Sequence, residues 1–333
     1  MSYQSPAEIY QKEREKNEIE AGKLSGKQSR LGWLRLAIIL VTIILAFRFF
    51  NYNLLAGWAV VILGIAIFLW VVSIDADNNR KLKNIKRLLF INEEEIKILE
   101  GNYDHRYDGA DLLPSNHAYA NDLDVFGKYS IYQFIQRCNS EQGRKLLAGN
   151  LLHAMPSSAV KERHEAVKEL GSMYQWMQQL QAYSLQTPVL AATQLRTEAW
   201  LSKPGQYFKS KGWKWFVPLY SFITLGSTLL CILDYIPGAL FTFIFFVYFV
   251  FAGSLSKRAM QAYTYLTGIV SELETLYGLV QWIEGKDFKS PLLRNLQDSV
   301  KVDGAGAATQ INALKNILNR FDLRLNVFVF IFL

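Results

Sequence analysis

The stretch WKWFVPLYSFITLGSTLLCILDYIPGALFTFIFFVYFVFAGSL, residues 213–255, decides the fold class of this 333-residue chain. Its first limb, residues 213–233, has a single charge at its edge, and its second limb is uncharged to Leu255. Each limb has about the length needed to cross a hydrocarbon core of roughly 30 Å at ~1.5 Å per residue. Pro237 and Gly238 supply the turn between the limbs. The stretch therefore predicts a transmembrane helical hairpin.

A second apolar hairpin is predicted nearer the N-terminus, over residues 31–75. Its first span, residues 31–50, contains Arg35 and Arg48 near its ends, where long side chains can reach the interface. A short turn at 51–53 leads into the uncharged stretch 54–74.

The placement of basic residues predicts the orientation of both hairpins. The turns at 51–53 and 234–238 lack Lys and Arg, whereas the other ends of the spans have basic flanks. These flanks include Arg80, Lys81, Lys83, Lys86, Arg87, Lys211, Lys214, Lys257 and Arg258. The positive-inside rule then puts both termini and residues 76–212 in the cytoplasm, so we expect a multi-pass protein of the cytoplasmic (inner) membrane.

The net charge of +7 has two interpretations. Much of the basic excess lies beside apolar segments, where anionic lipid headgroups account for it, and a nucleic-acid surface is the alternative. The two cysteines, Cys138 and Cys231, have no C-x-x-C or Cys/His spacing, so neither a disulfide framework nor a zinc site is predicted.

The remaining sequence predicts a mainly α fold. The predicted segments are an N-terminal helix (1–30), hairpin 1 (31–75), a cytoplasmic helical core in two parts (76–212 and 256–325), hairpin 2 (213–255) and the start of a truncated apolar segment (326–333). Ser5 and Glu8 form a capping box, and Gly22 and Gly26 are expected to loosen the chain before the membrane.

Periodicity predicts the core helices. These are 78–100, one or two helices in 130–152, a single helix capped by Ser157 or Ser158 that continues to Leu180, and helices from Pro188, over 256–284, from Pro291 and over 304–325. A loop is expected at 102–124.

No catalytic motif is present in this sequence. A P-loop, G-x-S-x-G and H-E-x-x-H are all absent, and the four histidines show no paired spacing. The acidic loop 102–124 lacks the spacing of a metal-ligand loop. We therefore predict no catalytic, cofactor-binding or metal-binding residue in this chain.

A set of short motifs stands out in residues 117–294. They are HAYANDLDVFG (117–127), SIYQFIQR (130–137), GRKLL (143–147), RHEAVKEL (163–170) and KSPLLR (289–294). Together they resemble the helical core domain of the MutS DNA mismatch-repair ATPase family, over roughly 90–210 and 256–325. The positions that carry the resemblance are Asp122, Asp124, Phe126, Gly127, Gly143, Arg144, Arg163 and Pro291.

Helix capping and packing offer a second explanation of the residues that carry the resemblance. Asp122 and Asp124 are expected before a helix, where carboxylates favour the positive N-terminal end. Gly143 is expected to allow close helix approach, and Arg144 and Lys145 are expected to face solvent or a partner. Packing and capping are the simpler explanation of each residue.

The resemblance implies an ATPase domain of the ABC type, with ATP, Mg²⁺ and a homodimer, that is missing from this chain. The mismatch-reading Phe-x-Glu motif is absent, and residues 213–255 take the place of the DNA-clamping insertion. We therefore predict the core or lever region of a membrane-anchored MutS-like protein, with the lipid bilayer as one partner and either DNA or another cytoplasmic partner as its cargo. The alternative is a non-enzymatic membrane scaffold. A channel or transporter is disfavoured because the spans lack polar residues at mid-depth.

Overall fold

The computed structural model describes residues 5–193, 195, 198, 213–232, 235–250, 269–302 and 305–325. The chain forms two compact units. The first unit comprises Met1–Pro188 and Gly278–Gly306, and the second comprises Val189–Tyr277 and Ala307–Leu333. The described residues are mainly helical, which confirms the predicted fold class at this level.

Two long helices dominate the first unit. Helix α1 spans Pro6–Phe50 and helix α2 spans Leu54–Leu99, and they pack against each other as a hairpin. Their turn at residues 51–53 and the capping box at Ser5 confirm the predictions. The loosening expected at Gly22 and Gly26 was wrong, because α1 continues through both glycines. Packing against α2 over the whole length offsets the roughly 1 kcal/mol that each glycine costs a helix.

The polar half of this hairpin, residues 6–30 with 75–99, is called the stem. Buried side chains on α2 recur at intervals of three and four residues, as in a two-helix coiled coil. They are Val71, Asp75, Asn78 and Leu82, and the buried Asn92 lies ten residues further along the same helix. The same helix face therefore continues from the apolar half into the stem, which explains why α2 does not break where its composition changes.

Close packing joins the apolar halves of α1 and α2. A Cβ atom on Gly64 would collide with the side chain of Thr42, so only glycine permits this approach. Small residues are common at helix contacts in membranes for the same reason. Near the turn, Phe50 and Trp58 meet edge to face at 5.6 Å.

The apolar halves are almost fully exposed. Within the most apolar windows of α1 and α2, only 6% and 11% of the residues are buried inside the protein. A core helix of a soluble protein would be mostly buried, so these windows face the surroundings instead. Both helices are long and apolar enough to cross a membrane.

Four short helices follow the loop after α2. They are α3 (Ile131–Ile135), α4 (Glu141–Leu152), α5 (Ser157–Gly171) and α6 (Tyr174–Ser184). The prediction of one helix from Ser157 to Leu180 was wrong. The hydroxyl of Ser172 donates to the carbonyl of Glu169 at 2.7 Å and ends α5, and no side chain caps its start.

In the second unit, α7 (Trp213–Ile232) and α8 (Gly238–Val250) make up the described part of hairpin 2. Tyr220 and Tyr248 stack between them at 6.1 Å. Both helices are apolar, and the second transmembrane hairpin stays a prediction. Residues 251–255 and 326–333 lie outside the described residues.

Helix α9 spans Ile269–Glu284, and α10 spans Pro291–Ser299, with Ser290 at its N-cap and Pro291 at its start as predicted. A two-residue hairpin, β1 (Lys301–Val302) and β2 (Ala305–Gly306), precedes α11 (Ala307–Leu325). Ile269, Leu273 and Leu318 form the buried core of the second unit.

Candidate functional site

The motif segment, residues 117–152, folds around its own small core. Its buried members are Ala120, Val125, Phe126, Tyr132 and Ala148. Phe126 and Tyr132 lie 5.2 Å apart between ring centroids. The resemblance-bearing aromatic at position 126 is therefore a packing residue.

Glycines with positive φ shape the loop around this core. Gly127 has φ +100° and donates its N–H to the carbonyl of Asp108 at 3.0 Å. Gly109 has φ +68°, and a Cβ there would collide with the ring of Tyr132. These positions require glycine because left-handed backbone is strained for other residues.

The start of the motif segment fastens to the C-terminal end of α4. His117 Nδ1 accepts from two backbone N–H groups, so its proton lies on Nε2, which donates to the carbonyl of Leu152 at 3.0 Å. The hydroxyl of Tyr119 donates to the carbonyl of Leu151 at 2.8 Å. These bonds satisfy carbonyls that a helix end leaves free.

Asp122 and Asp124 do not cap a helix, which corrects the predicted role. Both are exposed, and Asp124 adopts φ +46° in a turn. The residue that caps α3 is Ser130, whose hydroxyl accepts from the N–H of Gln133 at 3.1 Å. Aspartate tolerates left-handed backbone better than most residues, which explains its use in this turn.

Gly143 and Arg144 also differ from their expected surroundings. A Cβ on Gly143 would press on Cys138 and Ser140, so the close approach involves a loop and not another helix. Arg144 is half-buried over the ring of Tyr107, at 4.7 Å, whereas Lys145 is exposed as expected.

Arg163 and Pro291 lie at the surface of a different part of the first unit. Arg163 is exposed on α5, and Pro291 begins α10. Near them, the carboxylate of Glu169 accepts from the N–H groups of Lys289 at 2.8 Å and Ser290 at 2.6 Å. These bonds hold the pKa of Glu169 below its ordinary value and join α5 to the start of α10.

The basic flank of hairpin 1 is a line of exposed charges on α2. Arg80, Lys81, Lys83 and Lys86 are exposed, and Arg87 is half-buried. At ~1.5 Å per residue, Arg80 lies about 9 Å along the helix beyond residue 74. Lys214 lies in the first turn of α7. Lys211, Lys257 and Arg258 lie outside the described residues.

Helix α6 connects the stem to α9. On one side, Gln178 donates to the buried Asn92 of α2 at 2.8 Å, and Gln179 and Asn84 exchange two bonds of 3.1 Å. On the other side, Trp282 Nε1 donates to the carbonyl of Trp176 at 3.2 Å. The stem is thus joined through α6 to residues that follow hairpin 2 in the chain.

The described residues offer contacts and charges and no catalytic constellation. No group of three or more His, Cys, Asp or Glu side chains is placed to hold a metal ion in this part of the chain.

No protein-family model, curated protein or solved structure matches the chain. The resemblance of the motifs to the MutS core domain therefore stays a prediction from those residues.

Sequence reasoning missed three sets of functional contacts. They are the pairing of Arg35 with Asp75 at 3.2 Å, the pairing of Asn92 with Gln178, and a cavity lined by three arginines. A signal for the first two was available, since Asp75 and Asn92 occupy core positions of the coiled-coil pattern, where a polar residue needs a partner.

Proposed function

We propose that this chain is the membrane-anchored lever region of a MutS-like protein. The observation that carries the proposal is the continuity of the α1–α2 hairpin. Each helix runs unbroken from an exposed apolar half into a polar stem, and the stem is bonded through α6 to the rest of the first unit. A protein built in this way holds its polar helical part at a fixed distance from a bilayer. Movements of that helical part are transmitted along the hairpin to the membrane.

The stem has the length for such a role. Residues 6–30 of α1 form about seven turns and extend for ~37 Å at ~1.5 Å per residue. The exposed basic side chains at its base, from Arg80 to Lys86, suit anionic lipid headgroups. The basic side chains support a cytoplasmic placement of the stem, with the turn at residues 51–53 on the opposite side of the membrane.

The topology is tested by cysteine labelling in intact cells. A Tyr52→Cys variant, made with Cys138 and Cys231 replaced by Ser, should react with a membrane-impermeant maleimide added outside the cytoplasmic membrane. Tyr52 is suitable because its side chain is 89% exposed at the turn. Tyr129→Cys, at an exposed position of the motif segment, is the matched control and should react only after lysis. Labelling of Tyr52→Cys only after lysis would reject the topology.

The MutS-like part of the proposal is tested by reading the gene beyond the codon for Leu333. An in-frame P-loop, with ATP hydrolysis by the whole gene product, is the expected result. A stop codon directly after Leu333 would remove the ATPase and favour the membrane scaffold.

DNA as the partner has a separate test. Binding of duplex DNA by the whole chain should weaken steeply as salt rises, because phosphate contacts release counterions. Absence of binding at low ionic strength would remove DNA from the proposal and leave the anchoring role in place.

A further inference from the structure

A cavity of about 230 Å³ lies in the first unit, between the end of α2, the loop that follows it and the start of α4. We call it the arginine cavity, because Arg106, Arg137 and Arg144 line it from three separate segments. Arg137 and Arg144 belong to the motifs at residues 130–137 and 143–147, whereas Arg106 comes from the loop that follows α2.

Arg137 is fully engaged by the protein itself. Its Nε and Nη2 atoms donate to the two carboxylate oxygens of Glu95 at 2.5 and 2.9 Å, and Nη1 donates to the carbonyl of Phe134 at 2.6 Å. This paired geometry neutralises the charge of Arg137 and fixes one wall of the cavity.

Arg106 carries its charge without such a partner. It is half-buried and donates through Nη2 to the backbone carbonyl and the side-chain oxygen of Gln136. No carboxylate lies within ion-pair distance of it among the residues that the structure describes. Burial and, after it, the neighbouring Arg137 lower the pKa of Arg106, so its positive charge is held at a cost.

Arg144 is also positioned without an acidic partner in the described part of the chain. Its Nε donates to the carbonyl of Cys138 at 3.3 Å, and its guanidinium lies over the ring of Tyr107. The ring is held in place because the hydroxyl of Tyr107 donates to Asp111 at 2.5 Å. The structure gives Nη1 and Nη2 of Arg144 no acceptor among the described groups, so these donors are free for a ligand.

The two glutamates that line the cavity already have partners within the protein. Glu95 pairs with Arg137, and Glu94 accepts from Lys97 at 2.8 Å and contacts His105 at 2.6 Å. Burial acts to raise the pKa of Glu94, but the hydrogen bonds with Lys97 and His105 bring it below the ordinary value. The negative charge of Glu94 is therefore balanced by these two neighbours. The lining has three arginines and two glutamates, and therefore an excess of positive charge.

We propose that the arginine cavity binds the phosphate group of a small molecule, with Arg106 and Arg144 as the donors. The planar guanidinium fork matches phosphate oxygens and is less strongly hydrated than an ammonium group. A terminal phosphate presents three acceptor oxygens, enough for both arginines at once. The volume is below the roughly 300–1,000 Å³ of sites for drug-sized ligands, so the ligand is inorganic phosphate or the phosphate end of a compact metabolite.

The test is calorimetric titration of the full chain in detergent micelles. The probes are inorganic phosphate and a nucleoside 5′-monophosphate, at constant ionic strength set with chloride. Arg106→Gln and Arg144→Gln should each weaken binding about tenfold or more, because each removes charge-assisted hydrogen bonds. Lys145→Gln is the matched control, since it removes the same charge from the next residue, which is exposed and does not line the cavity.

The two probes separate the sources of the phosphate. Equal affinity for inorganic phosphate and the nucleotide would show that the free anion is a sufficient ligand. Tighter binding of the nucleotide would show that the ligand is larger and enters the cavity by its phosphate. Absence of binding by either probe, or equal weakening by Lys145→Gln, would overturn the proposal.

A second readout uses Cys138, which lines the cavity and is half-buried. In a Cys231→Ser background, inorganic phosphate should slow modification of Cys138 by a small thiol reagent, and Arg144→Gln should abolish this protection. Circular dichroism identical to that of the parent chain shows that a variant has folded. Protection that persists in a folded Arg144→Gln variant would contradict the assignment of Arg144.

Discussion

Gln178 on α6 donates a hydrogen bond of 2.8 Å to the side-chain oxygen of Asn92, which is completely buried on α2. Asn92 in turn donates to the carbonyl of Leu88 at 2.7 Å, so both ends of its amide are satisfied. A buried polar pair at a coiled-coil position fixes register, because every shifted alignment leaves an amide unpaired. This pair therefore sets where α6 docks on the stem.

Replacement of Gln178 by Ala should lower the free energy of unfolding by about 1–3 kcal/mol, since the oxygen of Asn92 would be left buried without a donor. The measurement is urea unfolding of the full chain in detergent, followed by tryptophan fluorescence. Gln175→Ala is the control on the same helix. It removes an exposed bond to Glu13, and its effect should stay within about 0.5 kcal/mol. Equal losses in the two variants would argue against the role given to Asn92.

Arg35 and Asp75 pair at 3.2 Å between α1 and α2, where the apolar halves meet the stem. Asp75→Leu should destabilise the chain by about 1–3 kcal/mol, less than for a fully buried pair because the Arg35 side chain is 35% exposed. The double variant Arg35→Leu/Asp75→Leu should recover most of that loss, because apolar side chains of similar size can replace an ion pair. Thermal unfolding in detergent measures both. A double variant no more stable than Asp75→Leu alone would refute this account.

The raised pKa of Tyr132 predicts that the folded chain loses stability at high pH. Burial, followed by the nearby Cys138 and Asp111, raises the pKa of Tyr132 to about 12, above the ordinary value of 10.0. The unfolded chain therefore ionises first, so the contribution of Tyr132 is complete below pH 10 and is lost as pH rises towards 12.

Between about pH 9 and pH 11 this loss amounts to roughly 1 kcal/mol. The parent chain should lose that much more stability than Tyr132→Phe over the same interval, as measured by urea unfolding at each pH. Parallel curves for the two proteins would show that Tyr132 does not titrate in this way.

The lowered pKa of Glu169 predicts a dependence of stability on pH with the opposite sign. Its pKa is lowered by the backbone N–H of Lys289 and then by that of Ser290, so its contribution is present above the ordinary carboxyl value of 4.5. The contribution is lost as pH falls through the lower pKa of the folded chain. Glu169→Ala should be less stable than the parent chain at neutral pH, and the two should converge in acid. Glu165→Ala, at an exposed position one turn earlier in the same helix, is the control variant.

Much of the first hairpin could be predicted from local sequence. The uncharged run before Asp75, the turn at Asn53 and the cap at Ser5 are all set by residues close together in the chain. The continuity of α1 through Gly22 could not be predicted in this way, because α1 is stabilised there by packing against a helix some 50 residues away in sequence.

The candidate site depended even more on distant residues. Asp122 and Asp124 precede a helix in the sequence, but the turn that contains them is set by the core around Phe126 and not by the helix end. The convergence of Arg106 with Arg144 has no sequence periodicity, since it arises where a loop crosses the start of α4. Such tertiary placement overrides local patterns.

The uninterrupted backbone of α1 gives hairpin 1 a mechanical property. Over 45 residues the helix is about 68 Å long, and no break absorbs bending between Pro6 and Phe50. A tilt of about 5° at one tip therefore displaces the other by about 6 Å, more than one helical turn. In the proposed membrane placement, a small tilt near Gln178 would move the far tip by several ångströms, so the bilayer would have to deform or the hairpin would have to slide.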